Sequence, residues 1–318
     1  MTRVLVTGAS GGFGSRLVER LAGRDGVEVV ALDARPPALP LSGVDYRTGD
    51  VRDADAVWEA MRGCDVVAHL AWVVSPSKDR AATADVDLGG TEHVLAAMHA
   101  TGCGRLVFAS SVTAYGSTPD HPAPYREDEP LRPDADFAYA AHKAEAERLI
   151  ADAGVAAVVV RAAIVVGAQV DNSVRQVFAA PVVAAIRGDE MRLQAVHQDD
   201  VGRFYAEACL GNRTGTVNLA ADDVLGIDEV GERLGKRVVR LPEPVVAAFV
   251  RSTWMLGLGR LDPGGFAAMR WLPIADTSRL REEWGFRCEH TTASALDDFR
   301  TALAGRIALG RFEVRLPF

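Results

Sequence analysis

Short runs of Val, Leu and Ile alternate along the first half of the chain with stretches whose apolar side chains recur every three or four residues. Val4–Val6, Val27–Leu32, Val66–Leu70, Arg105–Ala109 and Val155–Val160 read as strands, and their almost wholly apolar character suits parallel strands covered on both faces. Between them, Phe13–Leu21, Ala54–Met61, Gly89–His99 and Tyr139–Ala151 carry helical periodicity. A β-α-β-α order predicts an α/β fold: a Rossmann-type, doubly wound parallel sheet with right-handed crossovers.

After Gly167 the pattern loosens. Residues 168–198 and 221–300 hold turn signals, scattered tryptophans and irregular periodicity, whereas Asp199–Leu210 reads as a helix and Thr216–Leu219 as a strand that rejoin the sheet. The expected organisation is a dinucleotide-binding domain of residues 1–167 with 199–220. A smaller, discontinuous α/β substrate domain of 168–198 and 221–300 follows, then a C-terminal tail, 301–318.

Composition narrows the function classes. The 318 residues carry a net charge of −8 and no block of Lys/Arg, which argues against nucleic-acid partners and membrane-surface attachment. The longest apolar stretch, Val155 to Gly167, is interrupted by Arg161 and is shorter than the roughly 20 residues a membrane span needs. Cys64, Cys103, Cys209 and Cys288 show neither metal-ligand spacing nor the density of a disulfide scaffold. Together with an N-terminus that lacks a signal-peptide pattern, this points to a cytoplasmic protein with no metal.

The candidate chemistry begins at Thr7-Gly8-Ala9-Ser10-Gly11-Gly12-Phe13-Gly14, between the first strand and the first helix. Gly8, Gly11 and Gly14 suit a tight turn, close approach of backbone to a pyrophosphate, and close helix–strand packing; the helix N-terminus adds free N–H groups. Asp33, at the end of the second strand, can accept the adenosine ribose hydroxyls and would repel a 2′-phosphate. This favours NAD, with NADP the alternative because Arg35 is near. Asp50, in Gly49-Asp50-Val51-Arg52-Asp53, can accept from the adenine amino group or cap the next helix, as can Asp53.

Tyr139 and Lys143 are four apart, hence on one face of a helix. A nearby ammonium favours the phenolate and makes tyrosine a usable acid/base, and Lys143 can also bind the nicotinamide ribose. Ser110 and Ser111 follow the strand Arg105–Ala109 at the sheet end where ligands sit, so that a serine there can hold a substrate oxygen against Tyr139.

Taken jointly, TGASGGFG (7–14), GDVRD (49–53), HLA (69–71), GGTEHVL (89–95), FASSVTAYG (108–116), YAAHK (139–143) and VHQDDVGR (196–203) resemble the extended short-chain dehydrogenase/reductases of the NAD-dependent epimerase/dehydratase family. The resemblance implies that Ser111, four before Tyr115, is the catalytic serine rather than Ser110. It implies cofactor contacts at Gly12, Phe13, Val51, Leu70 and Ala71, and a passage of Arg161-Ala162-Ala163-Ile164 beside the nicotinamide. It also implies a small-molecule substrate and a homodimer.

Departures from the family pattern narrow the reaction. Val112-Thr113 stands where dehydratases of the family carry Asp-Glu, which argues against water loss. Ile164 and its apolar neighbours replace an asparagine that touches a diphosphate-sugar, and Leu193-Gln194 replace Arg-Asp, with Arg192 adjacent. Asp87 stands where the family often has asparagine. His197 reads as structural, Asp199 and Asp200 as helix caps, and Trp72, Trp254, Trp271, Met255 and Leu256 as core or apolar pocket lining. The expected function is hydride transfer between NAD(P) and a secondary alcohol or ketone. The alternatives are a nucleotide-sugar 4-epimerase and a non-catalytic cofactor-sensing protein.

Overall fold

The apolar runs form a single sheet. β1 (Thr2–Thr7), β2 (Val27–Asp33), β3 (Val44–Thr48), β4 (Val66–His69), β5 (Arg105–Ser111), β6 (Ala157–Ala162) and the strand Gly215–Leu219 are all parallel. Across the sheet the order is β3, β2, β1, β4, β5, β6, then Gly215–Leu219. This is the expected Rossmann-type fold. Strand order reverses between β1 and β4, and the crevice at their C-terminal ends is where such sheets bind ligands. This computed structural model describes residues 1–119, 121, 124–170, 173–258, 261–303, 306–309 and 312–315; of the tail assigned to 301–318, residues 304–305, 310–311 and 316–318 lie outside the described residues.

Alternation along each strand feeds two cores. Val4 and Val6 of β1 face α1 (Gly12–Ala22) and the helix Gln198–Leu210, where Leu17, Leu21, Phe204 and Tyr205 are buried. Leu5 faces the opposite layer, made of α2 (Ala54–Met61), with α3 (Arg80–Ala84) preceding α4 (Gly90–Thr101), and α5 (Ala138–Ala153); Met61, Met98 and Ile150 pack there. Asp53 caps α2, its side chain accepting from the N–H groups of Asp55 and Ala56.

Two element boundaries differ from the periodicity. A π-helical turn, Asp85–Gly89, precedes α4. Gly90 then lies so close to Val51 that a Cβ there would stand 2.7 Å from Val51 Cγ2. The sixth strand begins at Ala157 rather than Val155, because α5 ends on Gly154 in the left-handed region, φ 64°, and the chain needs the next residues to turn.

Beyond β6 a smaller α/β layer has its own core, including Phe178, Leu193, Leu225, Leu296 and Phe299. It is held by the short pairings Ile164–Val166 with Ala195–His197, Arg192–Leu193 with Leu225–Gly226, and Val183–Ile186 with Val238–Leu241. No described helix is long and apolar enough to cross a membrane.

Candidate active site

The glycine-rich turn is tight because backbone fills the space where side chains would be. Gly8 has φ +69°, and a Cβ on it would lie 2.7 Å from the Ala71 backbone nitrogen; one on Gly14 would lie 2.1 Å from the Gly8 carbonyl oxygen. Gly11 is less constrained, 3.1 Å from the same oxygen, and a Cβ on Gly12 would meet nothing within 4 Å. Phe13, in the first turn of α1, is partly buried against the core. Leu70 and Ala71 sit directly under the turn, both backbone N–H groups donating to Thr7 Oγ1 at 3.3 Å. The result is a bare backbone cradle at the N-terminus of an eleven-residue helix, a surface that fits a pyrophosphate.

Asp33 completes the cradle. Its carboxylate accepts the Ser10 N–H at 3.0 Å and the Arg35 N–H at 2.9 Å, while the Arg35 side chain is largely exposed, with Nε 3.9 Å away. The acceptor capacity left on the carboxylate suits ribose hydroxyls. Asp50 already has a partner: Arg52 donates to it from Nη2 at 2.7 Å and from Nε at 3.0 Å, and this hydrogen bonding holds its carboxyl below the usual range. Helix capping falls to Asp53, not Asp50. Val51 is buried, and its carbonyl meets His93 Nδ1 at 2.9 Å.

At the end of β5 the two serines part. Ser110 is bonded to Glu147, which Arg161 grips from Nε at 3.1 Å and from Nη2 at 2.7 Å. Ser111 Oγ accepts from the Thr113 N–H at 3.2 Å and from the Thr113 hydroxyl at 3.0 Å, which leaves its own proton to be donated elsewhere. Burial pushes the phenol of Tyr139 up to about 12, and the influence of the Ser111 hydroxyl opposes it. Tyr139 keeps part of its surface exposed as a residue, but its hydroxyl is enclosed by protein, and the burial at that atom decides its acidity.

Lys143 is 2% exposed. Its ammonium donates to the Ala109 carbonyl and lies 3.3 Å from the Trp72 ring centroid, 5.0 Å from that of Phe108 and 5.6 Å from that of Tyr139. Burial lowers Lys143 to about 7, with Asp87 and Glu147 opposing. Trp72 Nε1 is buried without a hydrogen-bond partner among the described residues, a vacant donor beside the ammonium that suits a bound polar group.

Behind the cradle, His69 lies between Thr7 Oγ1 at 2.8 Å and Thr91 Oγ1 at 3.1 Å. Thr91 donates to the Asp87 carbonyl, so it accepts from His69 Nε2 and the imidazole is the neutral Nε2–H tautomer. Burial, then the Lys143 charge, lowers His69 to about 3.

These shifts predict a pH dependence of stability. A lysine at about 7 when folded and about 10.4 when unfolded releases its proton first in the folded state, so stability rises with pH above 7. The His69 contribution is complete below that window, near its unfolded value of about 6.5, and the buried cysteines act only above about 8.5. Between pH 7 and about 8.5 the wild type should therefore gain about 1–2 kcal/mol relative to Lys143→Met. Urea unfolding at the two pH values checks it; parallel curves would refute the assignment.

Other residues named from the sequence have structural surroundings. Arg161 is buried; besides Glu147 it donates to the Tyr115 hydroxyl at 2.9 Å, which donates to Asn218 at 2.7 Å. Ala162 pairs in register with Ser111, and Ile164 lies partly buried in the next short strand. The expected caps are corrected: His197 itself caps the helix Gln198–Leu210, its Nδ1 accepting the Asp199 N–H at 3.2 Å. Asp199 instead takes Arg16 at 3.1 Å and Arg20 at 3.4 Å, and Asp200 takes Arg203 at 2.7 Å. Ligand atoms of His197, Asp199 and His290 lie within 4.8 Å of one another, but two arginines and the positive end of a helix make this a poor cation site. Sequence reasoning missed the contact of Trp72 with Lys143 and the partner of Asp87, His142 at 2.9 Å. The His-Lys dipeptide in Tyr139-Ala140-Ala141-His142-Lys143 was the available signal for the latter.

A surface groove along the outer face of α5, lined by Ala141, Ala144 and Ala151 and reaching Glu147 and Arg161, is not lined by Ser111, Tyr139 or Lys143. The strand-end chemistry, not groove size, locates the site.

Comparison with known proteins agrees with this geometry. An uncharacterized protein of Mycobacterium tuberculosis is 35% identical over 99% of this chain, which matches 32% of that protein. The chain thus spans about a third of the length of the curated relatives it matches over its whole length at this identity. L-arabinose 1-dehydrogenase (NAD(P)(+)) of Haloferax volcanii is 40% identical over 111 residues, 35% of this chain and 41% of that protein. Thermus thermophilus UDP-glucose 4-epimerase, in complex with NAD, superposes with a TM-score of 0.73 at 25% identity over 96% of this chain and 99% of its own. Residues 4–201, well over half of the chain, match the NAD dependent epimerase/dehydratase family, and the chain belongs to that family.

Proposed function

We propose that the chain is an NAD-dependent oxidoreductase that interconverts a secondary alcohol and a ketone in a small-molecule substrate. The observation that carries this reading is the convergence of Ser111, Tyr139 and Lys143 beside a backbone cradle at the strand-order reversal. Gly8, Gly11, Gly12, Phe13 and Gly14 would hold the pyrophosphate, Asp33 the adenosine ribose, and Leu70 and Ala71 the floor. NAD, when bound, supplies the hydride acceptor. Ser111 donates its free proton to the substrate oxygen and orients it. Tyr139 holds or accepts the hydroxyl proton, and Lys143 tunes it through space. In the free protein Tyr139 is protonated at neutral pH, which suits it to give a proton to a ketone oxygen in the direction in which the reduced cofactor would supply the hydride.

The test is a coupled measurement at the reduced-nicotinamide absorbance with panels of secondary alcohols and ketones. Tight NAD binding with no turnover of any of them would remove the reading. For the cofactor, Asp33→Ser should raise the NADP-to-NAD affinity ratio by about tenfold or more, because a carboxylate beside the 2′-position is lost while Arg35 stays. Isothermal titration with both dinucleotides measures it, and an unchanged ratio would place the adenosine ribose elsewhere.

A second reading, nucleotide-sugar 4-epimerase, draws on the likeness to the Thermus enzyme. A diphosphate needs cationic partners. Arg161 is committed to Glu147, and Arg270 to Asp189 and Glu243, whereas Arg192, beside Trp271 and Tyr125, makes no ion pair among the described residues. Conversion of a UDP-hexose without net absorbance change would favour this reading.

We also take residues 1–167 with 199–220 as the cofactor domain, supported by the strand Gly215–Leu219 in the main sheet, and 168–198 with 221–300 as the substrate domain, supported by its separate core. A cytoplasmic homodimer paired through helices of the sheet domain belongs to the same proposal.

A further inference from the structure

Asp87 stands in the π-helical turn before α4 and is 1% exposed. A carboxylate that deep needs donors. One oxygen accepts the Val73 N–H at 2.9 Å, and the other meets His142 Nδ1 at 2.9 Å. Both partners are chain neighbours of groups that meet in the site. Val73 follows Trp72, whose ring lies 3.3 Å from the Lys143 ammonium, and His142 immediately precedes Lys143. Asp87 therefore ties the segment after β4 to α5 at the place where Trp72 covers Lys143. An asparagine could accept the Val73 N–H and, with His142 in its other tautomer, donate to Nδ1 instead of accepting from it, so what the carboxylate chiefly adds is charge.

We propose that Asp87 is a positioning residue: through Val73 and His142 it clamps the Trp72 ring onto Lys143, and its negative charge keeps the buried ammonium charged. The importance of that charge for turnover rests on the function proposed above; the clamp itself does not.

The groups around Lys143 bear this out one element at a time. The end of β4 brings a neutral His69 and the Trp72 ring. From β5 come Phe108 and the Ala109 carbonyl. α5 supplies Tyr139, His142 and Glu147, and Arg161 of β6 pairs with Glu147 at 2.7 Å. Glu147 is thus matched by a guanidinium, whereas the side chain of Asp87 has, among the described residues, the His142 imidazole and a backbone N–H. Burial drives Lys143 toward its neutral form, and Asp87 is the largest opposing influence.

The test is the pH dependence of urea unfolding of the full chain from pH 5 to 8.5, without ligand, each curve referred to Lys143→Met. In the wild type the Lys143 contribution should inflect near pH 7. Asp87→Asn should move the inflection down by about one unit, the usual effect of removing a nearby opposite charge. His142→Gln, which keeps the carboxylate, should leave it in place. The kcat/KM of Asp87→Asn at pH 7 should fall about fivefold, as the charged fraction drops from about one half to about one tenth, and should recover toward pH 5.5. A purely structural role would lower stability equally at every pH and leave the inflection unmoved, which would overturn the proposal. If Asp87→Asn does not fold, His142→Gln decides alone: an inflection that moves down means that the carboxylate is not its source. Absence of any turnover by the wild type would count against the proposed function and leave the unfolding result to judge the effect of Asp87 on Lys143.

Discussion

Tyr139→Phe is expected to lower kcat/KM by about 10²–10⁴, the usual contribution of a positioned acid/base, while NAD affinity stays within about twofold. The substitution removes one oxygen and leaves the ring, which packs 5.7 Å from Phe137 and 5.6 Å from the Lys143 ammonium. Cofactor contacts and the α5 backbone are untouched, so a loss confined to turnover isolates proton transfer. Ser111→Ala should cost less, because Tyr139 can still reach the substrate oxygen. The double substitution should cost little more than Tyr139→Phe alone, since the two groups act on one atom. Steady-state kinetics with dinucleotide titration checks all three. A cofactor-sensing protein on this fold would show no turnover to lose, and an effect of Tyr139→Phe below tenfold would remove Tyr139 from the chemistry.

The parts legible in the sequence are those set by local pattern. Apolar runs gave the strands, and their alternation with helices gave the doubly wound parallel sheet; the place where strand order reverses, between β1 and β4, comes from the structure. The cradle was legible because glycine is demanded where backbone meets backbone: Gly8 against Ala71, Gly14 against Gly8. A serine at 110 or 111 with Tyr139 and Lys143 was legible as a candidate set because strand end and helix face are both readable in one dimension; the family resemblance singled out Ser111. Contacts between elements far apart in sequence were not. Nothing local says that Trp72 will lie on Lys143, or that Asp87 will take His142 55 residues away. The caps at 197–200 were misread for a related reason. Asp199 and Asp200 have the right chemistry for capping, but arginines claim them, Arg16 and Arg20 of α1 for Asp199 and Arg203 of the same helix for Asp200, and the imidazole of His197 is left to accept the free N–H. The region proposed to hold the substrate, 168–198 with 221–300, was illegible because its short strand pairs and paired arginines carry no motif.

Gly14→Ala is expected to abolish measurable dinucleotide binding, a loss of about a hundredfold or more, and to destabilise the fold by about 3 kcal/mol, the upper end for overpacking. The added methyl would stand 2.1 Å from the Gly8 carbonyl oxygen and 2.8 Å from Ala9 Cα. Its three nearest neighbours are all backbone atoms, so no side chain can rotate aside to relieve them, and relief requires α1 to lift from β1. That movement opens the turn that presents N–H groups to the pyrophosphate. Gly12→Ala separates packing from binding. Its methyl meets nothing within 4 Å, and alanine in the first turn of a helix should stabilise the fold by about 0.4–1 kcal/mol. If the pyrophosphate lies over Gly12, the same methyl points at the ligand, and affinity falls while thermal stability rises. Calorimetric titration of NAD beside thermal unfolding of the two variants makes the comparison. Equal losses of stability in both would mean that the turn is not packed as described, and full NAD affinity in Gly14→Ala would place the dinucleotide outside the cradle.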